Sequence, residues 1–258
     1  MAPWLDLPKL QSLLRTRIVG RTLFYATETT STMDVARREA AAGAPDGTVV
    51  VAERQTAGRG RLDRSWVAPP GNIYATIVMR PPAERLRVLS IVSPLAVAEA
   101  LEGVAGLSPA IKWPNDVLVG GRKISGMLVE TDLAGGVVNH ALVGIGVNVD
   151  LDVESEPEIA EIATSVRREL GRSPPREELL AALLNAFEAR YDEALTGDGP
   201  FQAWRSRLVT LGQRVTATLP DGVEEGVAED VDGQGDLLVR RDDGTLVTVD
   251  AGDVTLRG

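Results

Sequence analysis

The sequence predicts an α/β (α+β) fold, a mixed sheet with flanking helices, followed by a small all-β barrel. Two observations carry this. Through residue 200 or so, short apolar runs such as Thr48–Ala52 and Ile73–Met79 alternate with longer stripes at helical spacing. From Gly212 the pattern changes to brief alternating segments punctuated by Asp-Gly at 221–222, 232–233 and 243–244, the signature of tight hairpins. Five strands in so short a segment imply a barrel of SH3-like size. The boundary falls near 208–212, giving units 1–209 and 210–258.

Taken in order, leucines at 5, 7, 10, 13 and 14 make a helical stripe over 4–17. Thr22–Thr27 reads as a strand, and the hydroxyl-rich Thr29-Thr30-Ser31-Thr32 leads into a helix over Asp34–Ala42. Those hydroxyls are ordinary N-caps, or they face a polar ligand group at the helix start. Strand Thr48–Ala52 runs into Gln55-Thr56-Ala57-Gly58-Arg59-Gly60-Arg61-Leu62-Asp63-Arg64-Ser65-Trp66. Here the glycines allow positive φ and close approach, while the arginines offer forked donors for carboxylate and phosphate. Ile73–Met79 is the next strand and Val88–Leu101 a helix packed on the sheet. In Ile111–Val119, Pro114 fixes a turn that presents Lys112, Asn115 and Asp116. Gly120-Gly121 and Gly135-Gly136 are hairpin turns around strands Ile124–Glu130 and Val137–Val149. The acidic stretch 150–158 reads as a mobile loop, followed by helices at 158–170 and 176–195 and a shorter one carrying Phe201 and Trp204.

Composition removes several kinds of chemistry. There is no cysteine, so disulfides and thiolate sites are excluded, and the single histidine, His140, rules out a multi-histidine metal centre. His140 lies in an apolar strand and reads as a packing or surface residue, not a catalyst. A formal charge of −10 repels duplex nucleic acid unless basic residues are segregated. About twenty residues precede the first strand, too few for a helix-turn-helix module. No long apolar run and no signal peptide are read, so the expected place is the cytoplasm, without a membrane.

Four polar clusters fall at loops or strand ends: Ser31/Thr32, Gln55–Arg64, Lys112–Asp116 and Arg122/Lys123. Three of them are cationic in an acidic protein, which points to an anionic ligand. Neither a phosphate-binding G-x-x-x-x-G-K-[ST] loop nor a G-x-G-x-x-G turn occurs. Transfer between a carboxylate and a nucleotide fits better. The carboxylate is already an ionised nucleophile, so the site must supply positioning and charge neutralisation.

These motifs together resemble the biotin–protein ligases. Gly58-Arg59-Gly60-Arg61 with Trp66 is similar to that family's biotin and adenylate loop, Lys112-Trp113-Pro114-Asn115-Asp116 to its K-W-P-N-D motif, and Arg122-Lys123-Ile124-Ser125-Gly126 to its R-K-x-x-G motif. Gly144-Ile145-Gly146-Val147-Asn148 matches the G-x-G-x-N strand and Ser31-Thr32 the S-T entry, all in family order across residues 20–150. Met33 stands where the family often has asparagine. The resemblance implies a class II synthetase-like catalytic domain with an SH3-like barrel, of the monofunctional type that lacks an N-terminal DNA-binding domain. It implies that biotin and ATP give biotinyl-5′-AMP and pyrophosphate, and that biotin then passes to a lysine of a biotin carboxyl carrier protein of acetyl-CoA or a related carboxylase.

By motif position, Ser31, Thr32, Met33, Gln55, Gly58, Arg59, Gly60, Arg61, Lys123 and Gly126 would bind biotin. Arg59, Arg61, Trp66, Lys112, Asn115, Lys123 and Asn148 would bind ATP and the adenylate, with Asn148 on adenine. Lys123 and Arg61 would be catalytic, and Asp116 would accept a proton or hydrogen bond from the acceptor lysine. ATP and Mg²⁺ would be co-substrates, with no tightly bound cofactor and no metal ligands identified. A monomer or weak homodimer that does not bind DNA is expected, with the Gln55–Trp66 loop mobile until ligand orders it. The alternatives are a lipoate–protein ligase of the same architecture and a non-enzymatic binding module; the acidic barrel speaks against RNA for the latter.

Overall fold

The computed structural model describes residues 4–62, 64–219, 222–250 and 252–257. Its larger sheet is assembled from β1 (Leu23–Ala26), β2 (Val49–Ala52), β3 (Ile73–Met79), β4 (Ala110–Lys112), β5 (Asp116–Val119), β6 (Arg122–Ala134) and β7 (Val137–Val147). The spatial order is β1-β2-β3-β7-β6-β5-β4, parallel between β1 and β2 and antiparallel elsewhere, so the sheet is mixed as the sequence predicts. β2 and β3 are buried along their whole length because helices cover both faces. On one side lie α3 (Leu86–Ala100) and α5 (Arg176–Ala194), with α1 (Leu7–Leu13) against α5; on the other lies α2 (Thr32–Ala41). Gly120-Gly121 and Gly135-Gly136 make the two hairpin turns with positive φ, as expected.

Several boundaries differ from the sequence reading. The segment around α3, 83–105, is long and apolar enough by composition to cross a bilayer, contrary to the reading of no long apolar run. Its apolar side chains are used in the core, where Leu89, Val92, Leu95 and Val97 are fully buried. The helix expected over 158–170 is confined to α4 (Val166–Leu170). Residues 157–162 form hydrogen-bonded turns instead, and Ala163 is bridged to β6, because Lys123 N–H donates to Ile162 O and Thr164 N–H to Lys123 O, at 2.8 and 2.9 Å. The acidic stretch 150–158 is anchored as well: Leu151 and Val153 are buried with Ala163 in a small apolar cluster.

The strands after Gly212 are β8 (Arg214–Leu219), β9 (Gly222–Val231), β10 (Leu237–Arg240), β11 (Leu246–Val249) and β12 (Asp253–Arg257), ordered β11-β10-β9-β8-β12 in one antiparallel sheet. The turn predicted at 221–222 lies partly outside the described residues, and Asp63 lies outside them. This small sheet packs its apolar face on Ile91, Ile111, Trp113, Leu208 and on Trp204 of α6 (Gly199–Arg205). Trp113 is the joint. Its backbone N–H donates to Thr210 Oγ1 and its indole N–H to Gly235 O, both at 2.9 Å. The tryptophan of the K-W-P-N-D motif is therefore a core anchor, and its neighbours Asn115 and Asp116 are carried by it.

Candidate active site

A cavity of about 260 Å³ opens where the N-terminus of α2, the Gln55–Trp66 loop, the β4–β5 turn, the first half of β6 and the last residues of β7 meet. Its first wall is the entry to α2. The Ser31 hydroxyl accepts from Met33 N–H at 3.2 Å, so Ser31 is an N-cap that also lines the cavity. Thr32 is stapled to the end of β2: Gln55 Oε1 accepts from Thr32 N–H at 2.8 Å and from the Thr32 hydroxyl at 3.1 Å.

The arginine loop is a tight hairpin. Trp66 N–H donates to Gly58 O at 2.9 Å and Gly60 N–H to Arg64 O at 2.7 Å. The expected positive φ at Gly58 and Gly60 is absent; Leu62 at the tip takes it instead, with φ 53°. The glycines serve close approach, since a Cβ on Gly58 would lie 2.6 Å from Trp66 O. Trp66 is thereby laid across the sheet. Its indole sits where a Cβ on Gly146 or Gly126 would fall, at 2.7 and 3.0 Å, and Met33 Sδ occupies the same relation to Gly144 at 2.7 Å. The alternating glycines of β7 are thus a floor for Trp66 and Met33.

The cations converge on this floor. Lys123 Nζ lies 2.6 Å from Asp116 Oδ1 and 5.4 Å from the centre of a Trp66 ring. Arg61 Nη1 donates to Asn115 Oδ1 at 3.2 Å, and Arg59 pairs with Asp34 at 2.8 Å. Burial alone would raise the Asp34 carboxyl. The Arg59 guanidinium outweighs it, with hydrogen bonds from Thr30, Arg59 and Arg37, and holds the group below the usual carboxylate range. Asn148 is buried, with Nδ2 donating to Thr164 O at 3.0 Å, so one of its two amide N–H groups anchors it to the wall.

Most residues singled out by sequence line the one cavity: Ser31, Thr32, Met33 and Gln55; Arg59, Gly60, Arg61 and Trp66; Asn115, Asp116, Lys123, Gly126 and Asn148. Gly58 and Lys112 do not. Gly58 is buried beneath the loop it closes, and Lys112 is on β4, the outermost strand of the sheet. His140 is buried beside Asp132 near the far end of the β6–β7 hairpin, away from the cavity. Sequence reasoning missed the opposite wall, made of Leu151, Ile159, Ile162 and Ala163. The signal was an apolar series threaded through an acidic stretch. Among the described residues no group of three or more His, Asp or Glu side chains is placed to hold a metal ion. The arrangement can bind a polyanion beside an apolar or ring-shaped group, with Lys123, Arg59 and Arg61 neutralising charge.

Comparison with known proteins agrees with this layout. The model described as "Biotin/lipoate A/B protein ligase family" matches residues 23–148, and "Biotin protein ligase C terminal domain" matches 210–257. The chain is 35% identical over 237 residues to the bifunctional ligase/repressor BirA of Bacillus spizizenii, covering 90% of this chain and 73% of that one. It is 35% identical over 257 residues to the biotin--[acetyl-CoA-carboxylase] ligase of Mycobacterium tuberculosis, covering 93% of each. Among solved structures it is similar to the biotin protein ligase of Aquifex aeolicus in complex with biotin and ATP, with 31% identity, a TM-score of 0.80, and coverage of 92% of this chain and 99% of that one.

Proposed function

Because this chain belongs to the biotin–protein ligase family and is a biotin ligase, we propose that it works in two steps through an adenylate. In the first, a carboxylate oxygen of biotin attacks the α-phosphorus of ATP, the bond to the β-phosphate oxygen breaks and pyrophosphate leaves. In the second, the amine of an acceptor lysine attacks the acyl carbon, AMP leaves and the amine gives up a proton. The observation that carries this reading is the meeting of Lys123, Asp116, Arg61 and Asn115 on one wall, under an aromatic lid.

Lys123 is the residue for the reacting oxygens. Its partner Asp116 holds the ammonium in place until the ligand's anionic groups compete for it. Released from Lys123, Asp116 can take the proton of the acceptor amine. Arg59 and Arg61 neutralise the carboxylate and phosphates, and Trp66 covers the adenylate. Mg²⁺ would arrive on the ATP phosphates, since Asp116, the carboxylate on the cavity wall, is engaged with Lys123. The acceptor is proposed to be a lysine of a biotin carboxyl carrier domain.

Exchange of labelled pyrophosphate into ATP tests the first step. Exchange should require biotin and ignore lipoate, and the opposite pattern would replace this reading by the lipoate one. Operator-like DNA should give no mobility shift at physiological salt.

A further inference from the structure

β3 reads Ile73-Tyr74-Ala75-Thr76-Ile77-Val78-Met79, a fully buried strand in which the Tyr74 hydroxyl donates to Pro69 O and Thr76 places a second hydroxyl at the centre. It sits between Val50 of β2 and Gly144 of β7 and is itself 0% exposed. Valine would fill the same volume without a polar atom to satisfy. The hydroxyl donates to Thr32 Oγ1 at 2.8 Å, and Thr32 Oγ1 in turn lies 3.1 Å from Gln55 Oε1.

The direction of this relay is fixed by elimination. A backbone N–H can only donate, so the Gln55 atom 2.8 Å from Thr32 N is the carbonyl oxygen, not the amide nitrogen. That oxygen only accepts, so the Thr32 hydroxyl spends its proton there. With its proton spent, the Thr32 oxygen presents lone pairs to Thr76, which must donate. The consequence lies at the far end: Gln55, a residue of the cavity lining, is held with Oε1 turned to Thr32, and its Nε2 is the remaining polar end, on the Gly58 side, 3.2 Å from where a Cβ on Gly58 would fall.

We infer that Thr76 is a positioning residue for ligand selection: it fixes Thr32 and, through it, Gln55, so that this corner of the cavity offers donors and selects a ligand atom that accepts. The inference rests on the ligase reading, under which the acceptor is the ring carbonyl oxygen of biotin. Thr76 touches no ligand and acts through Thr32 alone.

Steady-state kinetics of Thr76→Val and Thr76→Ser in the full chain, with biotin and with its guanidine analogue 2-iminobiotin, test this. In the analogue the ring carbonyl is replaced by a donor. Thr76→Val should raise KM for biotin about five- to tenfold, the scale of one hydrogen bond. KM for ATP and kcat should stay within about twofold, and the preference for biotin over 2-iminobiotin should fall by a similar factor. Thr76→Ser should restore both. An unchanged preference ratio in Thr76→Val, or equal rises in both KM values with a lowered Tm that serine does not rescue, would reduce Thr76 to a structural hydroxyl and overturn the inference. Wild-type protein without biotin-dependent turnover would overturn the ligase reading and this inference with it.

Discussion

Lys123 meets Asp116 by an ion pair and Trp66 by its ring face, and the carbon next to its ammonium lies 2.9 Å from where a Cβ on Gly126 would fall. Its side chain is one-third exposed, so it is not a core support. Lys123→Ala should therefore leave Tm nearly unchanged and lower kcat/KM for biotin adenylation about 10²- to 10³-fold, the scale of removing one preorganised charge-stabilising group. Circular dichroism melting together with pyrophosphate release checks both halves. Retention of more than a tenth of the activity would remove Lys123 from the chemistry. This residue, with Arg59, Arg61 and Asp116, was legible in the sequence because cations in an acidic chain demand an anion, and because their motifs come in a fixed order. Asn148 was legible as a site residue but not in its hydrogen bonding. Its partner Thr164 O is supplied by a segment whose path depends on pairing with Lys123, which no local pattern encodes.

The loop Gln55–Trp66 is the element on which the site depends, and of the two properties its glycines were read for, positive φ and close approach, it uses the second. Positive φ fell to Leu62, while Gly58 is needed because its chain passes against Trp66 O. Spacing in a sequence shows that a glycine is present, not which of its two freedoms is used. Gly58→Val should push the two arms of the hairpin apart, lift Trp66 from Gly146 and raise KM for ATP about tenfold or more, at a stability cost of about 1–3 kcal/mol. Trp66 fluorescence on adding biotin and ATP follows this: wild type should show ordering of the loop by ligand and the variant should not. A second element, the turn Arg17-Ile18-Val19, is held by α5. The Glu188 carboxylate accepts from all three backbone N–H groups, at 3.0 and 2.8 Å for Ile18 and Val19. Burial acts to raise this carboxyl, but the three N–H donors and Arg17 outweigh it and hold it below its ordinary value. A depressed carboxyl stabilises the fold fully above its unfolded pKa of about 4.3 and loses that contribution as pH falls through the lower folded value. Glu188→Gln should thus lower Tm at pH 7, and the difference from wild type should shrink below about pH 4; a difference independent of pH would refute the charge as cause.

At the scale of the whole molecule, the small sheet's apolar cluster takes in Ile91, Ile111 and Trp113 of the larger unit, and the β4–β5 turn that carries Asn115 and Asp116 is built into that seam. Two units could be read from the change to Asp-Gly hairpins, but not their dependence on each other, because the joint is one side chain far from the small sheet in sequence. Trp113 buries its ring among Ile91, Trp204, Val215 and Val239, and hydrogen-bonds both Thr210 and Gly235. Two residues on, Asn115 holds Arg61 at 3.2 Å and also donates through Nδ2 to Met127 O; next comes Asp116, bound to Lys123. Loosening the small sheet must therefore move the groups proposed to do the chemistry. Trp113→Ala removes a large buried side chain and its indole hydrogen bond to Gly235 O, leaving the backbone bond to Thr210 in place, and should cost about 3–5 kcal/mol. If the seam is one cooperative core, the wild type will unfold in a single calorimetric transition, and the variant in a single transition at lower temperature. If the sheets fold independently, the variant will show two transitions, with the larger unit keeping the wild-type Tm. Activity separates the cases again: a shared core predicts loss of turnover in Trp113→Ala well below its Tm, through displaced Asn115 and Asp116, whereas independent sheets predict wild-type turnover up to unfolding.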